Sequence, residues 1–143
     1  ILKVDPKKRI LFNPEDSVDF NGNTGPFIQY TYARIISLLK KVENFDKEIN
    51  DLSKIDYREK NIVKYLLQYP EIVYQAGESY SPALISNYIY DLVKSFNTFY
   101  QNLSIAGTKD VSLKKFRLKL SKKVSEVIFS GCSLLGIDVP NRM

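Results

Sequence analysis

Residues 81–107 decide the fold, and they read SPALISNYIYDLVKSFNTFYQNLSIAG. Ser81 is a good N-cap residue and Pro82 suits the first helical position, so a helix is predicted to start here. Apolar side chains then recur every three or four residues, which places them on one wide face of that helix. They are Leu84, Ile85, Tyr88, Ile89, Leu92, Phe96, Phe99 and Leu103. The helix is predicted to end near Gly107.

The same periodicity predicts a helix upstream and another downstream of this stretch. The upstream helix starts at a capping residue within Asn23-Thr24-Gly25, just before Pro26, and runs to about Glu43. Its apolar face contains Ile28, Tyr32, Ile35, Leu39 and Val42. The downstream helix follows a polar turn at residues 108–110 and is stopped by Gly136. Its apolar face contains Leu113, Phe116, Leu120, Val124, Val127, Gly131 and Leu135. Gly131 on this inner face predicts a close backbone approach to a neighbour.

The remaining segments complete an all-α prediction. Residues 1–26 form a loop-rich lead-in, and residues 44–56 form a polar linker. A helix is predicted from residue 57 to residue 68 and is closed by Pro70, because the residue before a proline is pushed out of the α region. A short helix follows over residues 71–78. Since no alternating strand pattern of useful length is present, we predict an all-α bundle of about five helices.

Composition excludes several classes of chemistry. The 143 residues contain no histidine and one cysteine, which removes His-based catalysis, internal disulfides and multi-thiolate metal sites. No apolar run approaches the roughly 18 residues of a membrane span and no signal peptide is evident, so the cytoplasm is the expected location and no membrane partner is expected. The net charge of +5 permits an acidic partner. The chain starts without Met, which suggests a piece of a longer protein.

No constellation for catalysis or metal binding is found. Asp46, Asp51 and Asp56 recur every five residues, which fits neither one helix face nor a calcium loop, so they are interpreted as solvated caps. Residues 22–25 lack the Lys-Ser/Thr of a phosphate-binding loop and are interpreted as a turn with a cap. Cys132 lies in an apolar neighbourhood and is expected to be buried. We therefore expect no catalytic residue and no metal site.

Two surfaces point to nucleic acid. Phe27, Tyr30 and Arg34 lie at i, i+3 and i+7, away from the apolar face of the first helix, and could stack unpaired bases and contact phosphate. The alternative is that another helix covers the two rings while Arg34 lies along the surface.

The second surface is a basic stripe on the last helix. It contains Lys115, Lys119 and Lys122 at i, i+4 and i+7, with Lys114, Arg117 and Lys123 beside them. An ordinary solvated helix face is the alternative. From these two surfaces alone, the rival function is a helical protein-interaction module that docks a partner helix or a neighbouring domain.

Both ends of the chain resemble arginyl-tRNA synthetases. Residues 19–34 read DFNGNTGPFIQYTYAR, similar to the family pattern Asp-Phe-x-Gly-Asn-Thr-Gly-Pro-Tyr-x-Gln-Tyr-x-His-x-Arg. Residues 134–143 read LLGIDVPNRM and resemble the closing Leu-Leu-Gly-Ile-x-x-Pro-Glu-Arg-Met. The segments 67–70 and 117–120 also occur in the expected order. Departures are single residues: Phe27 stands where Tyr is common, Tyr32 where His is common, and Asn141 where Glu is common.

This resemblance implies a DALR-type anticodon-binding domain over residues 29–143, with residues 1–28 as the tail of a catalytic domain or a linker. ATP and arginine would bind to that catalytic domain, so no cofactor is expected in this chain and the domain alone would not be catalytic. The partners it implies are the tRNA specific for arginine and the enzyme's own catalytic domain, with the protein a monomer. Family positions near the anticodon correspond to Phe27, Tyr30, Arg34, Tyr100 and Met143.

Overall fold

The computed structural model describes residues 4, 8–9, 13–17, 22–42 and 54–143. Four long helices and one preceding helical turn account for most of these residues, and none of them is in a β-strand. The elements are α1 (Pro14–Ser17), α2 (Gly25–Lys40), α3 (Tyr57–Glu78), α4 (Pro82–Asn102) and α5 (Val111–Leu134). The all-α prediction is therefore confirmed, with four long helices in place of about five.

The start of α2 follows the predicted capping chemistry. The Thr24 hydroxyl accepts a hydrogen bond from the Phe27 backbone N–H at 3.4 Å, and Pro26 occupies the first turn. Ile28, Tyr32 and Ile35 are buried, as the periodicity predicts. The helix ends at Lys40. The predicted end at Glu43, most of the linker, and the caps at Asp46 and Asp51 lie outside the described residues.

The structure corrects the prediction of two helices around Pro70. α3 is a single helix that contains Pro70, so the predicted break is wrong. Pro70 is solvent-exposed, and the helix is held by packing on both sides of it. The Tyr69 hydroxyl donates to Ser130 Oγ of α5 at 2.8 Å, and Ile72 and Ala76 pack into the core one and two turns later. Tertiary packing thus overrides the local preference that a proline imposes.

Asp56 caps the N-terminus of α3, as predicted. Its carboxylate accepts a hydrogen bond from the Arg58 backbone N–H at 2.8 Å. Its own backbone N–H donates to Glu59 Oε2 at 2.6 Å. This reciprocal arrangement satisfies donors that a helix N-terminus would otherwise leave unpaired.

α4 is the centre of the bundle. It packs extensively against α3 and also contacts α2 and α5. Its fully buried side chains are Ile89, Leu92, Val93, Phe96 and Phe99. Ser81 is its N-cap residue, although its side chain makes no capping hydrogen bond. The helix ends at Asn102, earlier than the predicted Gly107, because Leu103 adopts an extended backbone conformation.

α5 confirms the predicted close approach at Gly131. A Cβ atom at this position would lie 2.6 Å from Ile89 Cδ1 and 3.0 Å from Ile89 Cγ1. Glycine therefore allows α5 to approach α4 more closely than any other residue could. Cys132 is buried beside it as expected, and burial raises the pKa of the Cys132 thiol to about 11.

The structure also corrects the interpretation of Arg117. The sequence places this residue beside the exposed basic stripe, but it is buried. Its Nε donates to Glu59 Oε1 of α3 at 2.7 Å, and its Nη1 donates to the Ser104 carbonyl at 2.7 Å and to Thr108 Oγ1 at 3.0 Å. α5 lies between neighbouring helices, so a larger part of its circumference is buried than the apolar periodicity indicates.

Candidate nucleic-acid interface

The structure brings three of the predicted residues, Tyr30, Arg34 and Tyr100, into one stack. Arg34 Cζ lies 4.6 Å from the centroid of the Tyr30 ring and 5.1 Å from that of the Tyr100 ring. Both distances are within the range of a cation–π contact. Tyr30 is 44% exposed, and Tyr100 packs against the buried Phe96 with ring centroids 6.1 Å apart. One tyrosine is therefore anchored in the core while the other faces solvent. We call these three residues the tyrosine–arginine stack.

A chain of hydrogen bonds holds Arg34 in this position. Arg34 Nη1 donates to Asn97 Oδ1 at 3.1 Å, and Asn97 Nδ2 donates to Thr31 Oγ1 at 3.0 Å. The Thr31 hydroxyl donates in turn to the Phe27 carbonyl at 3.1 Å. Since Thr31 is fully buried, the chain of bonds links a half-buried arginine to a fixed point of the fold.

The charge of Arg34 affects the neighbouring Tyr30 hydroxyl and makes the stack polar as well as aromatic. A hydrogen bond from Arg34 and the positive charge of its guanidinium lower the pKa of the Tyr30 hydroxyl. The stack thus combines an exposed aromatic ring, a planar cation with several donors, and a phenol oxygen. Unpaired nucleobases are bound in proteins by rings of this kind together with guanidinium planes.

The other two predicted anticodon-contacting residues lie at different places. Phe27 is half-buried, and its ring contacts the Tyr90 ring of α4 with centroids 5.8 Å apart. For Phe27 the alternative interpretation therefore applies, because a second helix partly covers its ring. The Tyr30 ring remains exposed. Met143 is 55% exposed at the end of the chain. Its segment is tied to α2 by a hydrogen bond of 2.7 Å from Gln29 Nε2 to the Asp138 carbonyl.

The lysine stripe lies on α5 as predicted, but its members are less exposed than a fully solvated face would be. Lys115, Lys119 and Lys122 are each partly shielded. Beside the stripe, Lys123 pairs with Glu126 at 2.7 Å. Lys122 also borders an apolar groove between α2 and α5, which is lined by Tyr32, Ile36, Leu39 and Phe129.

The family follows from a comparison with known sequences. The sequence profile of the DALR anticodon binding domain matches residues 28–143. The chain belongs to this family. One family thereby accounts for the helical bundle and for the closing motif at residues 134–143.

Relatives of this DALR domain are arginine–tRNA ligases. The chain aligns over its full length with the enzymes of Flavobacterium psychrophilum, at 58% identity, and Parabacteroides distasonis, at 51% identity. It spans about a quarter of the length of these relatives, 24% and 25% respectively. The solved structure of Thermus thermophilus arginyl-tRNA synthetase superposes with a TM-score of 0.89 at 31% identity, over 99% of this chain and 25% of that one.

The described part of the DALR domain shows neither a candidate metal site nor a membrane-spanning helix. Among those residues, no group of three His, Cys, Asp or Glu side chains could hold a metal ion. None of the helices described is long and apolar enough to cross a membrane.

Two residues that support the stack, Thr31 and Asn97, are not singled out by the sequence of the DALR domain. A signal for Asn97 is present, because it precedes Tyr100 by three residues and so shares a helix face with it. An amide among apolar residues on a buried helix needs a hydrogen-bond partner. The identity of that partner, Arg34 of another helix, requires the packing of α2 against α4.

Proposed function

We propose that this chain binds the anticodon stem-loop of the tRNA specific for arginine. The observation that carries the proposal is the tyrosine–arginine stack, in which an anchored guanidinium contacts two rings of a DALR domain. Anticodon bases must be splayed out of their stack to be recognised, and such bases need rings to receive them and donors to select them. Tyr30 and Tyr100 supply rings, and Arg34 supplies donors.

Phe27 and Met143 complete the proposed anticodon surface. Phe27 contributes the part of its ring that Tyr90 does not cover, and its lack of a hydroxyl limits it to stacking and apolar contact. Met143 contributes a soft, unbranched side chain on a terminal segment whose start is anchored to α2. Each of these contacts supplements the stack without replacing it.

The lysine stripe is proposed to contact the tRNA backbone. Phosphate contacts position a nucleic acid without reading its sequence. Replacing Lys115, Lys119 and Lys122 by Ala should therefore weaken binding of all tRNAs about equally and flatten the dependence on salt. An unchanged salt dependence in the triple variant would show that the stripe is only a solvated helix face.

The parent protein is proposed to be an arginine–tRNA ligase, as its relatives are named. It would attach arginine to tRNA with ATP, and both small molecules would bind to a catalytic domain outside this chain. That catalytic domain is then the neighbouring partner of the DALR domain within a monomeric enzyme. The chain alone should not catalyse arginine-dependent pyrophosphate exchange, and such activity in the purified chain would contradict the assignment.

The rival function is docking of a protein helix or a neighbouring domain. One observation favours it, namely the apolar groove between α2 and α5, where the exposed ring of Phe129 lies with Ile36 and Leu39. A partner in this groove would cover the Phe129 ring, and apolar contact would supply most of the affinity.

Salt dependence separates the two functions. Binding of the wild-type chain to an arginine tRNA and to a tRNA with another anticodon should be measured over a range of salt concentrations. Each phosphate contact adds about 0.7 to 0.9 to the slope of log affinity against log salt, whereas apolar docking responds little. A steep slope with preference for the arginine tRNA supports the proposal, and the absence of tRNA binding would overturn it.

A further inference from the structure

A polar groove lies between α3 and α4, separate from the tyrosine–arginine stack. Its volume is about 630 Å³, which is within the usual range for a ligand site. Two lysines, Lys64 and Lys94, line it together with Arg58, which pairs with Asp56, and one carboxylate, Asp91. The groove is therefore suited to an anionic ligand.

The two lysines of this groove are available to such a ligand. Both Lys64 and Lys94 are exposed, and neither forms an ion pair with another residue in the described ranges. Asn61, Gln68 and Thr98 add uncharged polar groups to the lining. Amide and hydroxyl groups of this kind, together with lysines, commonly contact phosphate and sugar oxygens.

An aromatic ring at the groove adds a second type of contact. Tyr57 is 61% exposed, and Arg58 Cζ lies 4.5 Å from the centroid of its ring. Arg58 Nη1 donates to both carboxylate oxygens of Asp56 at 3.2 Å, which fixes the guanidinium. Tyr57 and Arg58 thus repeat the aromatic–guanidinium pairing of Tyr30 and Arg34. An acidic peptide would use the cations, but the exposed ring favours a ligand with stacking bases.

We infer that this groove binds a single strand of the same RNA, with a backbone phosphate between Lys64 and Lys94 and a base on the Tyr57 ring. The inference rests on the proposed function. Continuity along α4 supports it, because Thr98 of the groove is adjacent in sequence to Asn97, which positions Arg34. A strand bound at the tyrosine–arginine stack therefore needs only to cross α4 to enter the groove.

The lysine contacts are tested with matched double variants of the full chain and an arginine anticodon stem-loop RNA. Lys64→Ala with Lys94→Ala should lower the magnitude of the log–log salt slope by about 0.7, the value for one phosphate of a single strand. The control pair, Lys60→Ala with Lys109→Ala, removes two exposed lysines that do not line the groove. Equal slopes for the two double variants would overturn the inference.

The ring contact is tested with Tyr57→Ala against Tyr74→Ala, a change at a tyrosine of similar exposure, 63%, on the same helix. Loss of one stacked base should lower RNA affinity about 5- to 150-fold for Tyr57→Ala, with no comparable loss for Tyr74→Ala. Equal effects of the two changes would overturn the inference. If wild type binds the RNA but the groove variants match their controls, only this inference fails; if wild type does not bind, the proposed function fails.

Discussion

Tyr80 lies just after the end of α3, in a backbone conformation that glycine usually takes. Its φ is 51°, and the Ser81 N–H donates to the Ala76 carbonyl at 3.0 Å across the turn. Gly136 occupies the equivalent place after α5, with φ of 69° and a bond of 2.9 Å from the Ile137 N–H to the Cys132 carbonyl. Both helices therefore end in the same left-handed capping motif, but only one has glycine at its strained position.

Replacing Tyr80 by Gly should stabilise the fold by about 1 kcal/mol. A left-handed conformation costs a non-glycine residue about 1–2 kcal/mol, and Gly removes this cost. The greater freedom of glycine in the unfolded chain offsets about 0.4–1 kcal/mol of the gain in stability. Tyr80 is 87% exposed, so little packing is lost. Urea denaturation measures the change. As a control, Tyr74→Gly within α3 should destabilise by about 0.5 kcal/mol; equal effects at both positions would show that Tyr80 is not strained.

Asn97→Ala should weaken RNA binding through Arg34. Loss of the bond to Asn97 Oδ1 releases the guanidinium from its fixed position, and a bond worth about 1 kcal/mol corresponds to about a fivefold loss of affinity. Titration of the anticodon stem-loop against the variant measures it. Asn102→Ala, at an exposed position of the same helix, is the control. Equal affinities of the two variants would show that Asn97 does not position Arg34.

At the scale of elements, two glycines distinguish a close helix contact from an open surface. Gly131→Ala should destabilise by about 1–3 kcal/mol, because the added Cβ would lie 2.6 Å from the buried Ile89 side chain. Gly77→Ala in α3 meets nothing within 4 Å and should stabilise by about 0.5–1 kcal/mol. Thermal unfolding of both variants tests this. A Gly131→Ala protein as stable as wild type would contradict the close approach of α5 to α4.

The ion pair between Glu59 and Arg117 connects α3 to α5. Arg117→Met should destabilise by about 3–5 kcal/mol, because it leaves the carboxylate of Glu59 buried without its partner. Adding Glu59→Leu removes that charge and should recover part of the loss. A double-mutant cycle by urea denaturation measures the coupling. Additive losses in the double variant would show that the two side chains act independently.

The elements that sequence could predict are those determined locally. The cap before Pro26, the cap at Asp56 and the stop at Gly136 depend on neighbouring residues, and the structure confirms all three. The break at Pro70 is wrong because contacts with other helices hold α3 together. Arg117 is misplaced for the same reason, since its burial depends on Glu59, which is distant in sequence.

At the scale of the whole molecule, some residues of the candidate site could be predicted from sequence, whereas others depend on how the helices pack. Helical spacing alone groups Tyr30 with Arg34 and separates them from the apolar face of α2. Tyr100 enters only through the family resemblance, because it lies on another helix. Asn97 becomes evident only when α2 and α4 are packed together, since its role depends on a contact between helices.

The tyrosine–arginine stack is proposed to read the anticodon. This is tested most directly by the affinities of wild type and Tyr30→Ala for two RNA stem-loops that differ only in the anticodon, with Tyr74→Ala as the control. We expect Tyr30→Ala to lower affinity for the arginine stem-loop about 5- to 150-fold and affinity for the other RNA much less, with unchanged circular dichroism. An equal loss for both RNAs, or a loss of helicity, would contradict this role of the stack.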